Sequence, residues 1–287
     1  MDCAGPQGPA GEPVRVRSYT AGMVSRVVQV LRVFTRDGKG GNHLGVVNDM
    51  TDLDTAAMQQ IAAELGFAET VFVDWPEDEK PYVRIFTPGQ ELPFAGHPLV
   101  GTAWMMLTMG PGGVSGLRCG IGEVAVGSDD DTAWIEAPLR LDAAGPAELA
   151  EYAARAGLPK PDRGWVVMMP KEYAILEYGD VASVADAAPN PAVMKERFGT
   201  MLFARSSGPT RVRFFAPDAG VFEDAATGSA AVALATALVA DGEASGSMTI
   251  HQGEEMGHPS RIDLSWSEES ARIGGGCVHE EARILDH

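Results

Sequence analysis

The chain of 287 residues reads as an α+β protein made of two similar domains that face each other. Three observations lead there. Strand-like and helix-like runs alternate through both halves. A strand–loop–glycine–helix unit occurs twice: Arg84-Ile-Phe-Thr-Pro88 with Gly96-His97 and a helix, then Arg213-Phe-Phe-Ala-Pro217 with Gly228-Ser229 and a helix. The helix expected from Ser229 to Ala240 is apolar nearly all round, as a helix wrapped by other elements must be. The proline-to-glycine step is 8 residues in the first unit (88 to 96) and 11 in the second (217 to 228), so chance recurrence of common residues is the alternative to duplication.

Taken in order, Met1–Gly22 has no continuous apolar core and reads as a flexible extension, with the folded chain starting near Met23. Val27–Phe34 alternates as a strand does and ends in Asp37-Gly-Lys-Gly-Gly41. Leu44–Val47 is a second short run. Asp52 or Asp54 can then cap a helix carrying Met58, Ile61, Ala62 and Leu65 on one face, which Gly66 stops. Thr70–Val73 and Tyr82–Phe86 are strands flanking the charged turn Glu77–Lys80, and Pro98 suits the first turn of a helix that runs to about Met109 and breaks at Gly110–Gly113. In the second half, strands are expected at Thr132–Ile135, Trp165–Met169 and Arg211–Phe215, with a helical stretch at Ala147–Ala156. Domain one is set at 23–128, with 271–287 expected to return to it, and domain two at 129–270.

Charge narrows the partners. Lys and Arg total 22 against 40 Asp and Glu, a net of −18, which repels nucleic-acid backbones and anionic membranes. No apolar run reaches the ~18 residues of a membrane span. Cys3, Cys119 and Cys277 are scattered and odd in number, so a reducing cytoplasm is the simpler setting. The histidines show no ligand spacing, so no metal is implied. Gly120-Ile-Gly-Glu-Val-Ala125 mimics a dinucleotide motif but continues as a strand, and Thr227-Gly-Ser-Ala230 is not a hydrolase elbow.

A glycine opening a helix lets bare N–H groups converge on an anion, so a small carboxylate held between Gly96 and Gly228 is the expected partner. His97, Asp224 and Ser229 stand close to those helix starts, and Glu69 just before an apolar strand. Each has an ordinary structural alternative: a core histidine, two helix-capping residues and a solvated strand entry.

Together these segments resemble the PhzF-type family of phenazine-biosynthesis isomerases, which shares the diaminopimelate epimerase fold. The resemblance runs from Val27 to Val278. It rests on Gly41-Asn42, Met58-Gln59-x-Ile61-Ala62-x-Glu64, Ala68-Glu-Thr-Val-Phe-Val73, Phe86-Thr-Pro88, Leu92-Pro-Phe-Ala-Gly-His97 and Glu223-Asp-Ala-Ala-Thr-Gly-Ser-Ala230, with Gln252-Gly253, Gly257-His258-Pro259-Ser260 and Gly274-Gly275 near the end. It implies two pseudo-symmetric domains, each a curved sheet around a central helix, with the site in the cleft between them, and a homodimer. It further implies cofactor-independent isomerisation of a small carboxylated, cyclic or unsaturated metabolite; one member type acts on trans-2,3-dihydro-3-hydroxyanthranilate.

By that resemblance Glu69 is the acid–base residue, assisted by His97 and Asp224. Gly96, Gly228 and Ser229 bind substrate, and Asn42 makes a polar contact. Related racemases use two thiols; Ala95 and Thr227 occupy the equivalent positions here, which excludes that mechanism. Departures from the family pattern are Ala68, Pro98 with Leu99, Ala225, and His258 where arginine is usual. A binding protein without turnover, or a lyase on the same fold, are the alternatives.

Overall fold

A computed structural model describes residues 25–286, apart from 77–78, 111–112, 130, 142–143 and 170. The expected extension Met1–Gly22 and start at Met23 lie outside the described residues, as do parts of the Glu77–Lys80 turn and the Gly110–Gly113 break.

The two halves repeat one strand ladder. In the first, Ser25–Thr35 pairs antiparallel with Asn42–Val47, which runs parallel to Glu69–Asp74, itself antiparallel to Tyr82–Phe86. Tyr82–Phe86 takes the short strand Glu91–Leu92 antiparallel and Gly116–Cys119 parallel, and the hairpins Gly116–Cys119/Gly122–Asp129 and Gly122–Asp129/Thr132–Pro138 follow. The second half repeats the same senses in the same order: Arg163–Met168, Glu172–Tyr178, Gly199–Ala204, Thr210–Ala216 with Val221–Asp224, then Gly246–Gln252, Ser260–Trp266 and Ser270–Asp286.

Each ladder curls into a ring that a strand from the other half closes. Thr132–Pro138 pairs with residues 270–276, and the chain continues to Ala144–Pro146, which pairs with Arg163–Met168. Ser270–Asp286 in turn leaves the second ladder and pairs along the whole of Ser25–Thr35.

One helix fills each ring. Gly96–Thr108 threads the first and Gly228–Ala240 the second, where only Val239 and Ala240 escape burial. A helix enclosed by strands on every side has no solvent face, which accounts for its all-round apolar composition. Asp54 rather than Asp52 caps the helix Thr55–Leu65, accepting from Ala57 N at 2.8 Å, and Gly66 ends it at φ 66°. The helix expected at Ala147–Ala156 is shorter, Ala150–Arg155.

The repeated motif is physical as well as sequential. Arg84 forks onto Glu91 at 2.7 and 2.6 Å and lies 5.1 Å over the Phe86 ring. Arg213 forks onto Glu223 at 2.7 and 2.8 Å and lies 5.0 Å over Phe215. The same bidentate pair on the same aromatic face, at equivalent registers, makes coincidence untenable.

Candidate active site

The two central helices meet start to start. A Cβ built on Gly96 would stand 2.7 Å from Gly228 backbone atoms, and one on Gly228 would stand 2.9 Å from Gly96 Cα. Ile273 of the last strand touches both glycines from below. Only hydrogen fits at these two positions, so the glycines set the spacing of the halves. Neither helix has a side-chain cap on its N-cap residue, Ala95 or Thr227, and both of those residues line the cleft beside the junction. Uncapped first-turn N–H groups at two convergent helix starts form a seat for an anion.

The cleft spans about 620 Å³ out to its solvent opening. Leu92, Pro93 and Phe94 wall it from the first half, and Phe198, Phe214, Ala216 and Val221 from the second. Its polar lining includes Glu69, Asp224, Ser229, Thr87, Tyr173 and Lys171.

Glu69 opens the strand Glu69–Asp74, just after the turn that Gly66 begins. Its Oε2 lies 3.2 Å from His97 Nδ1 but off the line of a hydrogen bond, so this buried oxygen has no hydrogen-bond partner among the described residues. Burial, then the neighbouring Asp224 carboxylate, raise the Glu69 pKa well above the ordinary range. His97 is 3% exposed, and burial pushes its pKa down to about 3. Its Nε2 faces the His43 carbonyl oxygen at 3.3 Å. A carbonyl only accepts, so Nε2 carries the ring proton and Nδ1 turns a lone pair toward Glu69. Although the separation is that of an ion pair, the buried imidazole is neutral, so no opposite charge offsets the burial of the Glu69 carboxyl.

Asp224 is differently held. Its Oδ1 accepts from Asn42 Nδ2 at 2.7 Å and its Oδ2 from Thr227 Oγ1 at 2.6 Å. Burial raises its pKa to about 6 while these two donors restrain the rise, so it is ionised at neutral pH. Gln252 braces the turn, donating to the Asp224 carbonyl at 2.7 Å and to Thr227 Oγ1 at 3.0 Å. Ser229 accepts from Tyr173 Oη at 3.1 Å, and burial lifts that phenol to about 12.

Of the residues singled out in the sequence, Glu69, Asp224 and Ser229 line the cleft. His97 stands behind Glu69, and Asn42, 8% exposed, stands behind Asp224, so both touch the carboxylates rather than the opening. Gly96 and Gly228 form the helix junction. Pro98 and Leu99 are buried in the helix and Ala225 packs at Gly253, all three away from the cleft lining. His258 meets the His43 ring edge-on at 6.4 Å. Sequence reasoning missed Tyr173, Lys171, Phe198 and Gln252. Tyr173 lies in, and Lys171 and Phe198 directly precede, strands that carry no clean alternation, and Gln252 stood in a quoted motif without a role.

A family model described as phenazine biosynthesis-like protein, PhzC-PhzF, matches residues 31–282. The chain belongs to this family. The PhzF-family chain is 31% identical to the trans-2,3-dihydro-3-hydroxyanthranilate isomerase of Pseudomonas aeruginosa, over 88% of this chain and 97% of that protein. It is 32% identical to an uncharacterized isomerase of Mesorhizobium japonicum, over 89% and 97% respectively. Among solved structures, a PhzF-family protein of Bacillus anthracis superposes with a TM-score of 0.76 at 21% identity, covering 91% of this chain and 99% of that one. The PhzF-family chain is thus an isomerase with the expected α+β, pseudo-symmetric fold. Among the described residues no helix is long and apolar enough to cross a membrane.

Proposed function

We propose that the protein is a cofactor-independent isomerase that moves a proton between carbons of a small carboxylated metabolite, cyclic or unsaturated. The observation that carries this reading is Glu69. Glu69 lines a cleft whose floor is two uncapped helix starts, and its Oε2 is buried without a hydrogen-bond partner among the described residues. The substrate carboxylate takes the helix-start N–H groups, which also stabilise charge that develops on it as the adjacent carbon loses a proton. In its carboxylate form Glu69, made more basic by burial, removes that proton, and the carboxylic acid so formed returns it at another carbon. His97 backs Glu69 at 3.2 Å and shields that side of the carboxyl from water. Asp224, ionised and clamped by Asn42 and Thr227, keeps the second charge of the site fixed and accepts a donor group of the substrate.

Proton exchange of this kind uses only groups on the chain. The substrate of the Pseudomonas aeruginosa relative, trans-2,3-dihydro-3-hydroxyanthranilate, is a ring carboxylate of the right class and the first compound to try. Residence in the cytoplasm and assembly as a homodimer accompany the reading; sedimentation would show the dimer.

Incubation with that compound and a panel of unsaturated carboxylates in deuterated water, read by mass spectrometry, tests the proposal. Deuterium is expected in a product of otherwise unchanged composition with wild-type protein and not with Glu69→Gln. Equal incorporation by Glu69→Gln would remove Glu69 from the role. A product of altered composition would indicate a lyase, and a bound but unexchanged carboxylate a binding protein.

A further inference from the structure

The strand registers align the two halves residue for residue. Leu44 pairs with Glu69 as Tyr173 pairs with Gly199, so Asn42 corresponds to Lys171. Ile85 pairs with Leu92 as Phe214 pairs with Asp224, so Leu92 corresponds to Asp224. In one half of the site Asn42 reaches Asp224 at 2.7 Å. At the mirrored place Lys171 has only Leu92 in the position of the carboxylate, and both of these residues line the cleft.

Lys171 makes no ion pair among the described residues. Its Nζ lies 5.8 Å over the Phe198 ring, which packs edge-on against Tyr173 at 5.7 Å. Tyr173 in turn bonds to Ser229 at the second helix start. An aromatic shelf therefore leads from the helix junction to a lone ammonium, the only basic side chain on the cleft lining among the described residues. The other charged lining residues are the carboxylates Glu69 and Asp224, and the whole chain carries −18, so a dianionic ligand would be repelled without a cation at its far end.

We infer that Lys171 forms a subsite for a second carboxylate, so that the natural substrate is a dicarboxylate held at one end by the helix starts and at the other by Lys171. The inference rests on the proposed function for the first carboxylate and adds the second. Lys171 binds and selects; it takes no part in the proton transfer. Lys171 is exposed beside the Phe198 ring, so its ammonium is free to turn onto a carboxylate, and that charge-assisted bond, open to solvent, brings a modest gain in affinity.

Calorimetric titration with three non-reacting ring acids tests this. Anthranilate carries one carboxylate, while 4-aminoisophthalate and 2-aminoterephthalate carry a second at different ring positions. Wild-type protein is expected to bind at least one diacid about tenfold more tightly than anthranilate, the value of one charge-assisted bond. Lys171→Met, which keeps the apolar stem, should abolish that preference while changing the anthranilate Kd less than about twofold, and Lys171→Arg should keep most of it. Unchanged melting temperatures would confirm that the variants fold. Equal binding of monoacid and diacids by wild type, or a Lys171→Met loss shared by all three, would overturn the subsite and leave the proposed function standing. No binding of any acid by wild type would overturn both. A Lys171-dependent diacid preference without isotope exchange in any substrate would uphold the subsite and reject the isomerase chemistry.

Discussion

The two halves share a frame and differ in their chemistry. Strand senses, central helices and the arginine–glutamate forks on Phe86 and Phe215 correspond closely. The site residues do not. Thr70 pairs with Phe86 as Thr200 pairs with Phe215, which puts Gly199 opposite Glu69 in the alignment of the halves. Asp224 corresponds to Leu92, Asn42 to Lys171, and the glycine at each helix start is followed by His97 in one half and Ser229 in the other. Duplication supplied two helix starts that meet at Gly96 and Gly228. Divergence then left one carboxylate per half, each supported by its own neighbours. A symmetric cleft would offer identical groups on both faces of a substrate; this one offers a buried carboxyl of raised pKa on one side and a clamped, ionised acid on the other.

The largest expected effect breaks that asymmetry at Glu69. Glu69→Gln should lower kcat by about 10³-fold, the range of general acid–base catalysis, and adding Gly199→Glu should not restore it, because no histidine stands behind residue 199's helix start. Steady-state kinetics on an identified substrate checks both variants. Next come the forks. Arg213 is 8% exposed in its side chain and also donates to the Ala185 and Ala187 carbonyls at 3.0 and 2.6 Å, whereas Arg84 and Glu91 are 19% and 38% exposed. Arg213→Met should cost about 3–5 kcal/mol in urea unfolding, and Arg84→Met about 1 kcal/mol or less.

A gain is expected at Asp224. Its pKa is raised from 3.8 to about 6, so the folded protein holds that proton more tightly than the unfolded chain. The stability this contributes is full below about pH 3.8 and lost as pH rises through 6. Asp224→Asn should therefore stabilise the protein above pH 6, by up to about 3 kcal/mol, while impairing activity; Leu92→Asn, which lacks the buried charge, should bring no such gain. Melting curves at pH 5 and 8 separate the two. The smallest effect tests the shared frame. Gly96→Ala and Gly228→Ala should each destabilise by roughly 1–3 kcal/mol, nearly equally, since each Cβ meets Ile273 and the backbone of the other glycine. Unequal losses would show that one half yields more readily.

Much of this frame could be read in the chain. The doubled Arg-x-Phe-x-Pro unit, the glycines at 96 and 228 and the all-round apolar helix are local signals, and local signals survive in sequence. The strand Ser260–Trp266 alternates and was overlooked, whereas Glu172–Tyr178 was not legible, because its burial is set by partners distant in the chain rather than by alternation within it. The same holds for the roles of Asn42 and His97. Sequence marks them as polar groups near the site; only the fold shows that each stands behind a carboxylate. Lys171 had no motif at all, and its meaning comes from the residue it fails to meet.

The exchanged closing strands carry a consequence for how the molecule is made. Ser25–Thr35 is among the first described segments to leave the ribosome, yet its full-length neighbour, Ser270–Asp286, is the last. The first ring must wait, with one edge unpaired, until the second has been synthesised, which leaves an aggregation-prone edge exposed throughout translation. Splitting the chain at the junction of the halves would strand each ring without its closing strand, so neither fragment should fold by itself, and the two should recover structure only when mixed.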